Sequence, residues 1–211
     1  MKIAVLGATG NLGSEIVSQA LERDVEVVAY VRTPTALEPR PGLTIFGGSV
    51  TDVTAMTTAF AGVDAAVSAL GGKPPLMQEA LPRIATALER AGVPRFVLVS
   101  AFGAGDTKSK AGGVARLIYS TAVKGLFEDK AHSEAAVLPG LTMNWTVVHP
   151  VNLKKGPQAP CVVTDLSEVS SVPGLPTLPF SSVASAVLDL AADDSAAGKR
   201  MLVTTAQGWR A

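Results

Sequence analysis

Three glycines, Gly7, Gly10 and Gly13, stand three residues apart where the apolar run Ile3–Leu6 gives way to a helix-like pattern. That spacing suits the binding of an anion. A helix N-terminus carries unpaired N–H groups and the positive end of the macrodipole, so it stabilises a phosphate placed against it. Side chains at the turn would hold the phosphate off. In Gly7-Ala8-Thr9-Gly10-Asn11-Leu12-Gly13 the first glycine permits a sharp turn, the second lets a pyrophosphate approach, and the third lets the helix pack on the strand. The triplet alone is a weak signal, because glycine-rich turns occur in many folds. At the first strand-to-helix junction of a chain that repeats strand and helix, it points to a dinucleotide.

The end of the second apolar run selects the dinucleotide. An acidic residue there would accept hydrogen bonds from the ribose 2′-hydroxyl of NAD. The residues are Val28-Ala29-Tyr30-Val31-Arg32-Thr33-Pro34, with no carboxylate among them. Arg32 can instead make forked, charge-assisted contacts to a 2′-phosphate, helped by the Thr33 hydroxyl, and can stack on adenine. The plainer alternative is a solvated arginine at a strand end. The expected cofactor is NADP(H).

The elements that hold these residues follow from the apolar pattern. Strand-like runs recur at Lys2–Leu6, Glu26–Tyr30, Leu43–Phe46, Ala65–Ser68, Arg95–Val99, Trp145–His149 and Leu202–Thr204. Helical patterns lie between them at Leu12–Leu21, Val53–Phe60, Leu76–Arg90, Ala115–Leu138 and Ser182–Ala191. Runs that are apolar throughout suit strands covered on both faces. The expected fold is therefore α/β, a doubly wound parallel sheet of the Rossmann type in one domain over residues 1–211. Gly103–Gly113, with four glycines and two lysines, is expected to be a mobile lid. Residues 150–180 are expected to form an irregular, partly extended segment on the substrate side, six prolines falling between Pro150 and Pro179.

Composition narrows the function. Eighteen basic and eighteen acidic side chains cancel, which gives no electrostatic bias toward nucleic acid or an anionic membrane. Cys161 is alone and there are two histidines, too few for a disulfide framework or the usual structural zinc site, so no metal is expected. The first apolar run is too short for a signal-peptide core, and no stretch approaches the roughly 18 uninterrupted apolar residues of a membrane span. A soluble, cytoplasmic monomer or weak homodimer acting on a small molecule is expected.

GATGNLG, VVAYVRTP, the segment Ala61-Gly62-Val63-Asp64, FVLVSAFG and WTVVHP occur in that order. With them the chain resembles the NAD(P)H-binding group of atypical short-chain dehydrogenase/reductases, which includes the biliverdin-IXβ/flavin reductases and NmrA-like proteins. The resemblance runs from Met1 to about Pro150 and weakens afterwards. It implies that Gly7, Thr9, Gly10, Asn11, Leu12, Gly13, Arg32, Leu70, Gly71 and Ser100 border the cofactor. Thr33, Ser49, Val50 and Pro150 complete the expected cofactor-binding set. Relatives often carry Gly-Asp after the third strand, whereas Gly48-Ser49-Val50 stands here, which leaves adenine to stacking and backbone contacts. Asp52 is expected to cap the following helix.

In an open α/β sheet, substrates bind outside the carboxyl ends of the strands, at Ser68–Gly72, Ser100–Gly103 and His149–Asn152. Ser100 can hydrogen-bond a substrate carbonyl or the nicotinamide carboxamide, or simply close its strand. His149 can donate a proton near neutral pH, and it can equally pack at the strand end. Relatives that reduce simple carbonyls pair a Tyr with a Lys four residues later. Here Val123 stands four residues after Tyr119, and Lys124, at five, lies about 140° around a helix. The pair is absent at Tyr119, which is read as packing or a lid contact. Relatives carry a lysine against the nicotinamide ribose near Lys130, while Glu134 offers Lys130 a plain surface ion pair instead. Asp129 and His132 fall where flavin-reductase-like relatives have polar residues near substrate, although His132 also reads as a solvated helix residue.

The expected catalytic residues are therefore Ser100 and Lys130, with Phe102, Tyr119, His149 and Asn152 at the substrate. Reducing an isolated ketone creates an alkoxide that needs an immediate proton, whereas a flavin, quinone or bilin spreads the incoming charge. The expected activity is NADPH-dependent hydride transfer to such a planar conjugated acceptor. Pro150–Leu153, Leu175–Phe180, Phe102 and the lid would wall it, and Lys108 or Lys110 would meet an anionic tail. The alternatives are a non-catalytic NADP(H) sensor of NmrA-like type and, more weakly, a sugar-nucleotide epimerase.

Overall fold

A computed structural model describes Met1–Ala211. Along the chain run β1 (Lys2–Leu6), α1 (Asn11–Glu22), β2 (Glu26–Val31), β3 (Leu43–Gly47), α2 (Val53–Ala59), β4 (Ala65–Ser68), α3 (Leu76–Ala91) and β5 (Arg95–Val99). They are followed by α4 (Gly113–Thr121), α5 (Lys124–Val137), β6 (Asn144–Pro150), β7 (Asn152–Lys154), β8 (Val162–Asp165), β9 (Thr177–Pro179), α6 (Phe180–Ala192) and β10 (Lys199–Thr204). Eight strands form one sheet in the order β3-β2-β1-β4-β5-β6-β10-β8, parallel except for β8, which pairs antiparallel with β10. The order reverses between β1 and β4, so a crevice opens at their carboxyl ends.

The continuous apolar runs become the middle strands because each must bury both faces. In β1, Ile3 and Val5 meet Ile16 and Val17 of α1 and Val183 and Val187 of α6, while Ala4 and Leu6 meet Leu81 and Ile84 of α3 and Met56 of α2. Each fully buried Leu, Ile or Phe side chain contributes about 1.5–3 kcal/mol relative to exposure. As expected, Asp52 caps α2, its Oδ1 accepting from the Ala55 N–H at 2.9 Å. Arg95 is buried at the start of β5 and closes α6 from a distance. Its Nη2 donates to the Leu190 and Asp193 carbonyls at 2.8 and 3.2 Å, and to Thr146 Oγ1 at 2.6 Å.

Three expectations need correction. The helical pattern over Ala115–Leu138 is two helices. Val123 leaves the helical region (φ −121°, ψ 14°) between the β-branched Thr121 and Gly125, both poor helix formers. The bend brings the Tyr119 and Phe127 rings to 5.2 Å. The Gly103–Gly113 segment is fastened, not a loose lid. Thr107 Oγ1 accepts from the Gly103 N–H and donates to the Ala104 carbonyl, the Lys110 ammonium donates to the Val169 carbonyl, and Arg200 forks onto Asp106. Residues 150–180 are more regular than expected. They contain β7 and β9, which pair with each other, and β8, which extends the main sheet.

Candidate active site

The nucleotide end of the crevice is built of main chain. Gly7 adopts φ +82°, a left-handed conformation that side chains disfavour, and its carbonyl accepts from the Gly10 N–H at 2.9 Å. A Cβ on Gly7 would lie 2.7 Å from the Ala69 carbonyl oxygen, and one on Gly13 only 2.0 Å from the Gly7 carbonyl oxygen. The turn, the α1 backbone and the end of β4 are thus packed as closely as backbone allows. Gly10 is the N-cap of α1 and offers no side-chain cap, and the first turn contains no acidic residue. The first N–H groups of α1 therefore stay available to a ligand. Thr9, Gly10 and Asn11 are exposed around them, whereas the Leu12 side chain joins the core and leaves only its backbone to the crevice. A bare, positively polarised cradle of this kind fits a dinucleotide diphosphate.

Residues for the adenosine half surround that cradle. Arg32 and Thr33 are exposed at the end of β2, and no carboxylate pairs with the Arg32 guanidinium. Ser49 is occupied locally: its hydroxyl shares a hydrogen bond with Thr51 Oγ1 at 2.8 Å and accepts from the Thr51 N–H. Its carbonyl accepts from the Tyr30 phenol at 3.0 Å, and Tyr30 lies so close under Gly48 that a Cβ there would meet the phenol oxygen at 2.0 Å. Val50 is half-buried beside it, and half-buried Leu70 with exposed Gly71 follows β4 next to the glycine turn.

The far end is built of buried side chains. α5 presents Lys130 and Glu134 on successive turns toward the ends of β5 and β6. Lys130 Nζ donates to the Val99 carbonyl at 3.1 Å, and the Ser100 hydroxyl donates to Glu134 Oε1. Glu134 Oε2 stands 4.0 Å from His149 Nε2, which accepts from Arg200 Nε at 3.3 Å. His149 Nδ1 lies 3.2 Å from the Ala101 carbonyl, a pattern that fixes the proton on Nδ1. Arg200 then forks onto Asp106 at 2.7 and 2.8 Å.

Burial sets the charges here. Desolvation raises the Glu134 pKa against the pull of Ser100, Lys130 and Arg200, and it lowers that of Lys130 despite Glu134 and Asp129. Desolvation, then the Arg200 charge, lowers His149 to about 3, so its approach to Glu134 is not an ion pair. Two expectations are corrected. Lys130 and Glu134 do not form a surface ion pair: both are buried, and no contact within 4 Å joins them. His149 does not face the crevice, being completely buried and held neutral.

Other expected substrate residues serve the packing around this end. Phe102 and Tyr119 are buried, with Tyr119 edge-on to Phe102 at 6.5 Å, and burial raises the Tyr119 phenol pKa against a hydrogen bond from Asn152. Pro150 is buried at the end of β6, and the half-buried Asn152 amide donates to the Pro176 carbonyl at 3.1 Å. Asp129 is drawn away from any substrate, accepting from the Met77 and Gln78 N–H groups at the start of α3 at 2.9 and 3.2 Å. His132 is exposed and lines a groove of about 820 Å³ along the outer flank of α5, as do Tyr119, Phe127, Trp145, Glu134 and Arg200. The expected walls at Pro150–Leu153 and Leu175–Phe180 do not line it. Leu126 stands four residues before Lys130 on α5, so this helix too lacks a Tyr-Lys pair.

Residues 7–194 match the sequence profile of the NAD(P)H-binding family. The chain belongs to that family. Among curated relatives of this NAD(P)H-binding chain is the 3-beta-hydroxysteroid dehydrogenase of Mycolicibacterium neoaurum, 32% identical over 112 residues, 46% of this chain and 31% of that protein. The chain spans 53%, 35% and 31% of the length of the curated relatives it matches. Among solved structures, the anaerobillin reductase ChuY of Escherichia coli O157:H7 superposes with a TM-score of 0.81 at 19% identity, covering 100% of both chains. A short-chain dehydrogenase/reductase of Veillonella parvula DSM 2008 in complex with NADP superposes with a TM-score of 0.82 at 17% identity, over 99% of this chain and 96% of that one. These likenesses show a shared fold. No helix is long and apolar enough to cross a membrane.

Glu134, Arg200 and Asp106 were missed as site residues by the sequence. Lys130 and Glu134 are visible there as a helical i,i+4 pair, but nothing local marks them as buried. Arg200 is 66 residues from Glu134 along the chain and reaches it only because β10 lies beside β6.

Proposed function

We propose that this chain is an NADPH-dependent reductase that passes hydride to a small planar conjugated acceptor of flavin, quinone or bilin type. The observation that carries this is the joining of two features in one crevice. The bare glycine cradle follows β1, Ser100 follows β5 and Lys130 bonds the Val99 carbonyl, all at the same carboxyl edge of the sheet with β4 between the two strands. Leu126 stands where a tyrosine acid would be needed for simple carbonyls. Gly7, Thr9, Gly10, Asn11 and Gly13 would hold the diphosphate, Arg32 and Thr33 the 2′-phosphate, and Leu70, Gly71, Ser100 and Lys130 the nicotinamide half. The cofactor, when bound, supplies the hydride. The protein orients the acceptor and excludes water. The family membership, the NADP-bound Veillonella neighbour and the reductase ChuY support this assignment.

Mixing the purified protein with NADPH and FMN or a small quinone should deplete the nicotinamide absorbance. No oxidation across a panel of such acceptors overturns the activity. One observation favours a second function, NADP(H) sensing through a protein partner. α4 exposes Val114, Leu117 and, in part, Ile118 at helical spacing. A sensor would bind NADP⁺ and NADPH and consume neither.

A further inference from the structure

Glu134 has no assigned part in the proposed reduction, yet it both bonds Ser100 and lines the α5 groove. On one side its Oε1 takes the Ser100 hydroxyl, at the carboxyl end of β5. On the other it lines the groove of about 820 Å³, whose rim carries Asp106, Lys108, Lys124, His132 and Arg200. Tyr119 and Phe127 line the groove beside Glu134, and Phe102 packs edge-on behind Tyr119.

We infer that Ser100 and Glu134 form a proton relay, in which the groove supplies protons and the carboxyl passes them to the serine hydroxyl at the reacting end. The inference rests on the reductase reading above. Once hydride has been delivered, the reduced acceptor is an anion that needs one proton. Ser100 turns its hydroxyl and gives that proton, and Glu134 gives its own to the serine oxygen as it leaves. The carboxylate that remains is reprotonated by water in the groove. One hydride and one proton have then added to the acceptor, NADPH has become NADP⁺, and the protein is unchanged.

The groups around Glu134 suit this cycle. Burial favours its protonated form, the direction the relay requires. Asp106, in the turn after β5, acts in the same direction, while Lys130 on α5 and Arg200 on β10 favour the carboxylate left after transfer. His149 on β6 stays neutral beside it, and Asp129 points to α3. The relay then works below the folded pKa of Glu134 and fails as pH rises through it.

Two measurements test this, one without turnover. In infrared spectra at pH 7, the wild type should show a protonated-carboxyl carbonyl band that Glu134→Gln lacks; absence of that band in the wild type overturns the relay. In assays with NADPH and a small quinone, Glu134→Gln should lower kcat at least about tenfold, leave KM for NADPH within twofold and abolish the alkaline fall in kcat. Ser100→Ala should cause a similar loss, and the double variant should lose no more than either single one, because the two residues act as one unit. Retained NADP⁺ binding by calorimetry checks the fold. If Glu134→Gln fails that check, Glu134→Asp, one methylene too short to reach Ser100, takes its place with the same expected losses. Wild-type turnover with an unimpaired variant, or additive losses, overturns the relay and leaves the reductase reading intact. No wild-type turnover at all overturns that reading and the relay with it, even if the carboxyl band is present.

Discussion

The two ends of the crevice are made of different material. At the nucleotide end the functional surface is backbone at Gly7, Gly10 and Gly13, exposed at Gly10, packed against neighbouring backbone at Gly13, and polarised by α1. At the other end it is a chain of side chains, Ser100, Glu134, Lys130, His149 and Arg200, largely withdrawn from water. An anion of fixed shape needs N–H groups at fixed positions, which backbone supplies without reorganisation. Proton chemistry needs groups whose pKa values are moved, and burial moves them. Substitutions at the first end should therefore act through volume and charge, and at the second through pH.

The largest expected effect breaks the nucleotide end. Gly13→Val places a side chain where a Cβ alone already lies 2.0 Å from the Gly7 carbonyl oxygen. Calorimetry should detect no NADP⁺ binding, and a loss of roughly 3 kcal/mol should lower the melting midpoint by about 6–12 °C. Next comes Asp129→Ala on the buried face of α5. It removes the carboxylate that accepts from Met77, Gln78 and the Gln78 side chain, so chemical denaturation should show about 2 kcal/mol less stability. NADP⁺ affinity should change little.

Arg32→Asp sharpens the contrast, because it should leave stability untouched. It should weaken NADPH binding about tenfold or more and shift preference toward NADH, as measured by titration of both cofactors. Unchanged affinities would remove Arg32 from the site. The smallest effect is a pH slope at the buried end. The folded pKa of His149, about 3, lies below its ordinary 6.5, so the unfolded chain binds the proton first and stability falls as pH drops below about 6.5. Between pH 7 and pH 6 this amounts to about 0.7 kcal/mol, and it steepens toward about 1.4 kcal/mol per unit at lower pH. His149→Gln should flatten that part of the curve.

The same contrast explains what could be read before folding. The glycine turn was legible because its requirement is local: a left-handed φ, a close approach and a missing cap all lie within seven residues. Asp52 capping α2 is local too, and it was found. The fastening of Gly103–Gly113 was not, because it depends on Val169, Val172 and Arg200, each distant in sequence. The edge strand β8 was missed for a similar reason, since four residues between prolines and polar turns carry no period and pair only because β10 offers an open edge. Lys130 was singled out, yet its burial depends on how α5 lies on β5.

The order of apolar runs and glycines determined the doubly wound sheet and the anion cradle by themselves, since backbone conformation and strand burial follow from neighbouring residue types. Tertiary structure alone decided which titratable side chains leave water together. Desolvation depends on everything within a few ångströms, and Ser100, Glu134, His149 and Arg200 become neighbours only when β5, α5, β6 and β10 come together.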